Sequence, residues 1–479
     1  MISHFRAPLI LITIVVTSTL AFAQAQDATF TDAAGRFSIP IPANWTNRST
    51  ESIAHFTNAD ATADIYASVV EAEDVQTGIQ AALETFFGSF DASPVQTSDA
   101  PLPDGTVWTQ NIYALPDGSL VAAVGRLEEG WTHVIAIRAS QAALIAATPA
   151  LNTIVLGHRT GAMAGTAPER PAYIVPEAFT EQAITIDNGD WSLPATLALP
   201  LGEGPFPAVV IVHGSGPIDR DGTLAQMKPY RDIAQGLASR GIAVLRYDKR
   251  TYAYQERMLE AMPADFTIDD EYTDDALAAV AALRALDAID PERIFVAAHS
   301  QGGTLGPRIA ASDPALAGLI LLAAGARPFE VIVQDQVDYI TSLDPAAAGG
   351  LAGLLALAEA LQAIRAGAEP AEALGNDQQV AYWTSLLDYD PLATAAELRL
   401  PVLVLQGERD YQATMEDFAL WQSALADHED AVFISYPTLN HTFTAVGDLD
   451  RLAIPADYLL PGFVDVTLID DIAAWIAAH

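Results

Sequence analysis

Apolar and polar positions change rhythm once the first third of this 479-residue chain is passed. Between residues 26 and 157 the apolar positions mostly alternate. Gly35-Arg36-Phe37-Ser38-Ile39-Pro40-Ile41-Pro42 and Ala63-Asp64-Ile65-Tyr66-Ala67-Ser68-Val69-Val70 put every second side chain on one face, the pattern of a half-buried strand. Segments 79–90 and 141–155 have helical spacing. Segments 107–115, 119–127 and 132–138 are joined by Pro-Asp-Gly-Ser and Glu-Glu-Gly turns and predict an antiparallel meander. Together these elements predict a small α+β domain of unassigned role over 26–157. Its His55 and His133 stand apart from any catalytic constellation and are read as ordinary surface or strand residues.

From 177 onward short, mainly apolar runs alternate with helical patterns. Ala208-Val209-Val210-Ile211-Val212 is the clearest such run; others fall at 242–247, 293–298, 319–323, 402–405 and 432–436. A strand without polar positions must be covered on both faces, which predicts a mainly parallel sheet between two layers of helices. Helices are expected at 230–240, 273–286 and 469–478, and an opening hairpin from 183–186 and 193–199. The long insertion at 327–400 has helical spacing at 331–343 and 351–364 and predicts a helical segment. Between the two regions, 158–176 holds Gly161, Gly165, Pro168, Pro171 and Pro176, the composition of a linker.

The first 25 residues alter the picture of where the chain works. Arg6 precedes a mostly apolar run, and Ala21-Phe22-Ala23 and Ala23-Gln24-Ala25 fit small-x-small cleavage sites, so 1–25 is read as a signal peptide. The expected location is the periplasm or the medium, with no membrane span after cleavage. The chain has no cysteine, which removes disulfides, a thiol nucleophile and cysteine-held metal from consideration. No histidine pair has metal-site spacing. The formal charge is −38, and only Lys228 and Lys249 are lysines. Such a field repels nucleic acid and polyanionic substrates. Nothing in the sequence sets the oligomeric state.

Candidate chemistry lies wholly in the second region. Ala298-His299-Ser300-Gln301-Gly302-Gly303 joins an apolar strand to a helical segment. A sharp strand-to-helix turn of this kind lifts a serine above the sheet edge as a nucleophile, and it needs small residues two positions to either side. Ala298 and Gly302 are those residues, Ala298 standing where glycine is usual. His213-Gly214-Ser215-Gly216-Pro217 follows another buried strand. Its Ser215 N–H, or alternatively that of Gly216, is the first expected oxyanion donor, and Gln301 N–H the second. Asp410 in Gly407-Glu408-Arg409-Asp410 follows a strand end and is preferred to Glu408 as the acid. His441 follows the last strand as the base, giving the chain order Ser, Asp, His.

From residue 182 to the end, these stretches resemble the bacterial α/β-hydrolase family related to dienelactone hydrolases, serine aminopeptidase-like hydrolases and carboxylesterases. Besides the segments just quoted, Leu245-Arg246-Tyr247-Asp248-Lys249-Arg250 carries the likeness. The resemblance implies an α/β-hydrolase fold at 177–479 with a cap at about 327–400, and a serine hydrolase of small-molecule esters acting through an acyl-enzyme without a cofactor. Acyl thioester hydrolysis, acyl transfer, aminopeptidase activity and non-catalytic binding on a hydrolase scaffold are the alternatives. Trp383, in the cap, is the candidate substrate contact.

Overall fold

The alternating segments of the first region become strands of two antiparallel sheets. The computed structural model describes residues 25–42, 45–101, 106–160, 170–225, 227–255, 257–258, 263–377 and 379–479. Apart from Ala25, the leader pattern lies outside them. They form two compact units that divide within 161–169.

In chain order the first unit comprises β1 (Ala25–Thr31), β2 (Phe37–Pro42), β3 (Thr46–Asn47), β4 (Ala54–Thr57), β5 (Ala63–Glu71), α1 (Val75–Phe87), β6 (Gln96–Pro101), β7 (Val107–Ala114), β8 (Leu120–Glu128), β9 (Trp131–Ala139), α2 (Gln141–Leu156) and β10 (Arg159–Thr160). Seven strands make one sheet in the order β3-β4-β5-β9-β8-β7-β6; β1, β2 and β10 make a second. Asp74 and Ser140 cap the first turns of α1 and α2, accepting from Thr77 N–H and Ala143 N–H. Ile79 and Leu83 of α1 pack on Val121, Ala123 and Val134, while Leu144, Leu151 and Ile154 of α2 join Phe37, Ile65 and Ile137 in a separate core. His133 is buried, and burial pulls its imidazole down to about 4, so it is uncharged at neutral pH.

The second unit is an eight-stranded sheet. Its strands are β11 (Phe179–Ile186), β12 (Leu193–Pro200), β13 (Phe206–Val212), β14 (Ala243–Tyr247), β15 (Ile289–His299), β16 (Gly318–Leu322), β17 (Val402–Gly407) and β18 (Ala431–Tyr436), in the order β11-β12-β14-β13-β15-β16-β17-β18. The opening hairpin pairs antiparallel, and every pair from β14 to β18 is parallel. The apolar runs divide their side chains between two cores. Ala208, Val210 and Val212 enter one, and Val209 and Ile211 the other. Each buried valine or isoleucine contributes about 2 kcal/mol, so both helical layers are held by the same strands.

The helices are α3 (Pro229–Ala238), α4 (Arg250–Ala253), α5 (Asp274–Arg284), α6 (Gln301–Ser312), α7 (Phe329–Leu343), α8 (Ala348–Arg365), α9 (Pro370–Leu374), α10 (Val380–Leu387), α11 (Pro391–Glu397), α12 (Met415–Ala424) and α13 (Val466–Ala478). Helices α3 and α13 cover one face, α5 and α6 the other. The insertion between β16 and β17 forms α7 to α11. The ends of the Gly/Pro-rich stretch are packed. β10 pairs with β2 in the first unit, and Tyr173 Oη donates to Val464 O at 2.7 Å in the second. Among the described residues no helix is long and apolar enough to cross a membrane.

Candidate active site

Four loops leave the carboxyl ends of parallel strands and meet over the sheet, where open α/β sheets place their ligands. They follow β13, β15, β17 and β18. Ser300 lies between β15 and α6 with φ 56° and ψ −122°. A non-glycine residue in this region is strained. The turn is held by Ser300 N–H donating to Leu322 O at 2.9 Å and Thr304 N–H donating to Ser300 O at 3.0 Å. Gly302 is there for space: a Cβ on it would lie 2.1 Å from His213 O. Ala298 stands where glycine is usual, with its methyl fully buried in the core that also holds Val296 and Leu305.

His441 Nε2 is 3.0 Å from Ser300 Oγ, and His441 Nδ1 is 2.6 Å from Asp410 Oδ2. A carboxylate only accepts, so Nδ1 carries the hydrogen and Nε2 is free to accept from the serine hydroxyl. Asp410 is 1% exposed. Its burial is compensated by Gln412 N–H and Ala413 N–H on Oδ1, at 2.7 and 3.2 Å, and by Gln406 Nε2 on Oδ2 at 3.2 Å. Glu408 turns elsewhere and accepts from Ser435 Oγ at 2.8 Å. The loops of Asp410 and His441 touch through Gly407, whose added Cβ would lie 2.4 Å from Leu439 O. Asn440 Oδ1 takes hydrogen bonds from the N–H and hydroxyl groups of Thr442 and Thr444 and so shapes the loop that carries His441.

The loop after β13 passes directly over the serine. A Cβ on Gly214 would lie 3.4 Å from Ser300 Oγ. Gly214 N–H is taken by Tyr230 Oη at 3.1 Å. Among the described residues, neither Ser215 N–H nor Gln301 N–H has a partner within the chain. For Gln301 this follows from its place in the first turn of α6, whose N–H groups have no intrahelical acceptor. His213 is fully buried between Tyr230 and Tyr247. Burial, aided by the charge of Lys249, holds its imidazole down to about 3, so it is neutral.

Ser300, Asp410, His441 and Gln301 are thus brought together with the Ser215 loop. Trp383 is not drawn into this group. Its ring lies against Phe329 and Tyr382, at 5.6 and 5.1 Å between centroids. Its neighbour Tyr382 reaches inward and donates to Glu271 Oε2 at 2.7 Å. Sequence reasoning also passes over His299, Tyr230, Lys249 and Tyr272, all buried around the serine. One signal was available: Lys249 is one of only two lysines and follows closely on a buried strand. Among the described residues no group of three or more His, Asp or Glu side chains could hold a metal ion.

Residues 209–452 match the model of the alpha/beta hydrolase family. Esterase EstD of Thermotoga maritima is 35% identical over 334 residues, spanning 68% of this chain and 76% of that protein. Among solved structures, Est1E from Butyrivibrio proteoclasticus aligns at TM-score 0.40 and 18% identity, over 62% of this chain and 99% of its own. Dienelactone hydrolase from Anabaena variabilis aligns at TM-score 0.38 and 16% identity, over 63% and 99%. On the family match and the Thermotoga relative, the chain belongs to the α/β hydrolase family.

Proposed function

We propose that this chain is a serine hydrolase that cleaves neutral carboxylic esters through an acyl-enzyme. The observation that carries it is the continuous line from Ser300 Oγ to His441 Nε2 at 3.0 Å and from His441 Nδ1 to Asp410 Oδ2 at 2.6 Å. His441 takes the serine proton as Oγ attacks the acyl carbon. Asp410 holds the imidazole in the required tautomer and stabilises its cation. The N–H groups of Ser215 and Gln301 receive the oxyanion. His441 returns the proton to the departing alcohol, then takes one from water as it attacks the acyl-enzyme. The acid leaves and Ser300 is restored. The esterase name of the Thermotoga relative supports this choice of bond. A charge of −38 disfavours anionic acyl groups and coenzyme A thioesters. The leader pattern supports action in the periplasm or outside the cell.

The test is fluorophosphonate labelling of the protein and of Ser300→Ala, with turnover of p-nitrophenyl esters of graded chain length. Labelling confined to the chain that retains Ser300, with turnover lost in the variant, is the expected result. Faster hydrolysis of an acyl-coenzyme A than of the matching neutral ester would replace the esterase with a thioesterase.

A further inference from the structure

Lys249 is 1% exposed, directly beneath the loop that passes over Ser300. Burying an ammonium group is costly unless its donors are satisfied. All three are. Nζ donates to Gly214 O at 2.9 Å and Tyr272 Oη at 2.6 Å, and lies 3.2 Å from Glu271 Oε1. Tyr272 Oη is 3.1 Å from Gly214 O and 3.1 Å from Gln301 Oε1. The single hydroxyl hydrogen of Tyr272 serves one of these two acceptors. Placed on Gly214 O, it joins Lys249 so that two donors converge on one carbonyl, while neutralising Glu271 would need only a single contact.

That carbonyl has a particular partner. Gly214 C=O and Ser215 N–H are the two ends of one planar, resonance-coupled peptide group. Hydrogen bonds to the oxygen draw charge through the group and strengthen the N–H as a donor, as along any hydrogen-bonded chain. They also fix the plane in which the N–H points. We propose that Lys249 and Tyr272 are positioning residues that orient and polarise the Gly214–Ser215 peptide, so that its N–H holds the oxyanion formed at Ser300. This rests on the reading of Ser215 N–H as an oxyanion donor. Glu271 keeps the ammonium in place through Oε1. Its other oxygen is held by Tyr382 of α10, which ties the insertion to the same peptide.

The experiment compares Lys249→Met/Glu271→Gln, which removes both charges together, with Tyr272→Phe, which removes one hydroxyl and keeps the ring. Melting temperature and fluorophosphonate titration of Ser300 establish the folded, active fraction. kcat and KM for p-nitrophenyl butyrate are then set beside the affinity for a trifluoromethyl ketone, which forms a tetrahedral oxyanion on the serine. Removing one oxyanion donor outright costs about 100- to 1,000-fold in kcat, so weakening one should cost roughly 10- to 100-fold in the double variant and about 3- to 10-fold in Tyr272→Phe. KM should stay within about twofold, and ketone affinity should fall in step with kcat/KM. A purely structural ion pair would leave both kcat and ketone affinity of the folded double variant near wild type, and that result overturns the inference. Should the double variant not fold, Tyr272→Phe decides by the same criteria. Ser300→Ala runs alongside: turnover retained there refutes the serine mechanism itself, while an inactive Ser300→Ala beside fully active Lys249 and Tyr272 variants refutes only the role given to these two residues.

Discussion

The Nε2–H of His299 donates to the main-chain carbonyl of His441 over 2.9 Å. The ring's other nitrogen is 3.0 Å from Tyr230 Oη, which itself accepts Gly214 N–H. Because a carbonyl only accepts, Nδ1 must be the acceptor of the tyrosine hydroxyl. One neutral imidazole therefore ties together the serine turn, the histidine loop and the loop over the serine. Burial, with the neighbouring His441, holds it down to about 3, so it keeps this tautomer at all working pH values. His299→Phe should leave the His441 carbonyl without its donor and the Tyr230 hydroxyl hydrogen without its acceptor, costing about 1–3 kcal/mol of stability. His299→Gln, which can still donate to the carbonyl, should lose less. Urea unfolding of the two variants checks the order; equal losses would show that the ring's volume matters and its hydrogen bonds do not.

Ser300→Ala should abolish ester turnover while leaving the melt unchanged, because the Oγ contributes chemistry and little packing. Asp410→Asn should keep the shape but permit the wrong imidazole tautomer, with kcat falling about 10⁴-fold. Stopped-flow measurement of ester cleavage tests both. If Glu408→Gln rather than Asp410→Asn removes activity, the acid is misassigned, although Glu408 is turned towards Ser435.

Gly302→Ala should be severely damaging, since the new methyl would stand 2.1 Å from His213 O, a backbone atom that cannot yield without moving the loop over Ser300. Ala298→Gly should fold and turn over substrate, restoring the more usual residue at the cost of a buried methyl, about 1 kcal/mol. Circular dichroism melts and fluorophosphonate labelling of the two proteins give the comparison. Normal labelling of Gly302→Ala would mean that the loop has another resting place.

The parallel sheet is legible in the sequence because a strand covered on both faces must be apolar at every position, as Val209 to Val212 are. The serine turn is legible because its demand for small residues is local, met by Ala298 and Gly302. Asp410 and His441 are legible from their places just after strands. The supporting shell is not. His299 meets His441 across 142 positions and Tyr230 across 69; Lys249 and Tyr272 meet Gly214 across 35 and 58. No periodicity encodes such pairings, since each partner is an ordinary residue of its own element. Tyr173 likewise sits in a stretch with a linker's composition, yet packs on the second unit through a partner 291 positions away.

Asp232 of α3 predicts a pH dependence of stability. It is 1% exposed; among the described residues its Oδ2 accepts only Val464 N–H, at 3.3 Å, and its Oδ1 has no hydrogen-bond partner, with the Arg231 guanidinium 4.0 Å away. Burial pushes its carboxyl from 3.8 up to about 6, against the opposing pull of Arg231. Below 3.8 both folded and unfolded chains hold the proton. Between 3.8 and about 6 the unfolded chain releases it and the folded chain does not, so rising pH favours unfolding; above about 6 the penalty is constant. It should reach on the order of 3 kcal/mol. Asp232→Asn should therefore match wild type in melting temperature at pH 4 and gain on it as the pH rises to 7. A difference that does not change with pH would place the ionisation elsewhere.

The insertion supplies the last test, because two adjacent residues of α10 face different surroundings. Tyr382 stacks on Phe266 and donates to Glu271, the carboxylate that steadies Lys249. Trp383 packs on Phe329, with Nε1 donating to Gln379, the residue at the N-cap of its own helix. Removing the Tyr382 hydroxyl loosens Glu271 without touching apolar surface, so Tyr382→Phe should lower kcat about 2- to 5-fold equally for acetyl, butyryl and octanoyl esters, a loss of the size expected for one hydrogen bond. Trp383→Ala removes apolar surface from the insertion, and if that surface meets the acyl chain it should reduce kcat/KM for octanoyl esters while sparing acetyl esters. The two profiles separate the roles: a loss across all chain lengths in Trp383→Ala, with a lowered melt, would make this tryptophan a support for Phe329, and a chain-length effect in Tyr382→Phe would put the tyrosine, not the tryptophan, against the substrate.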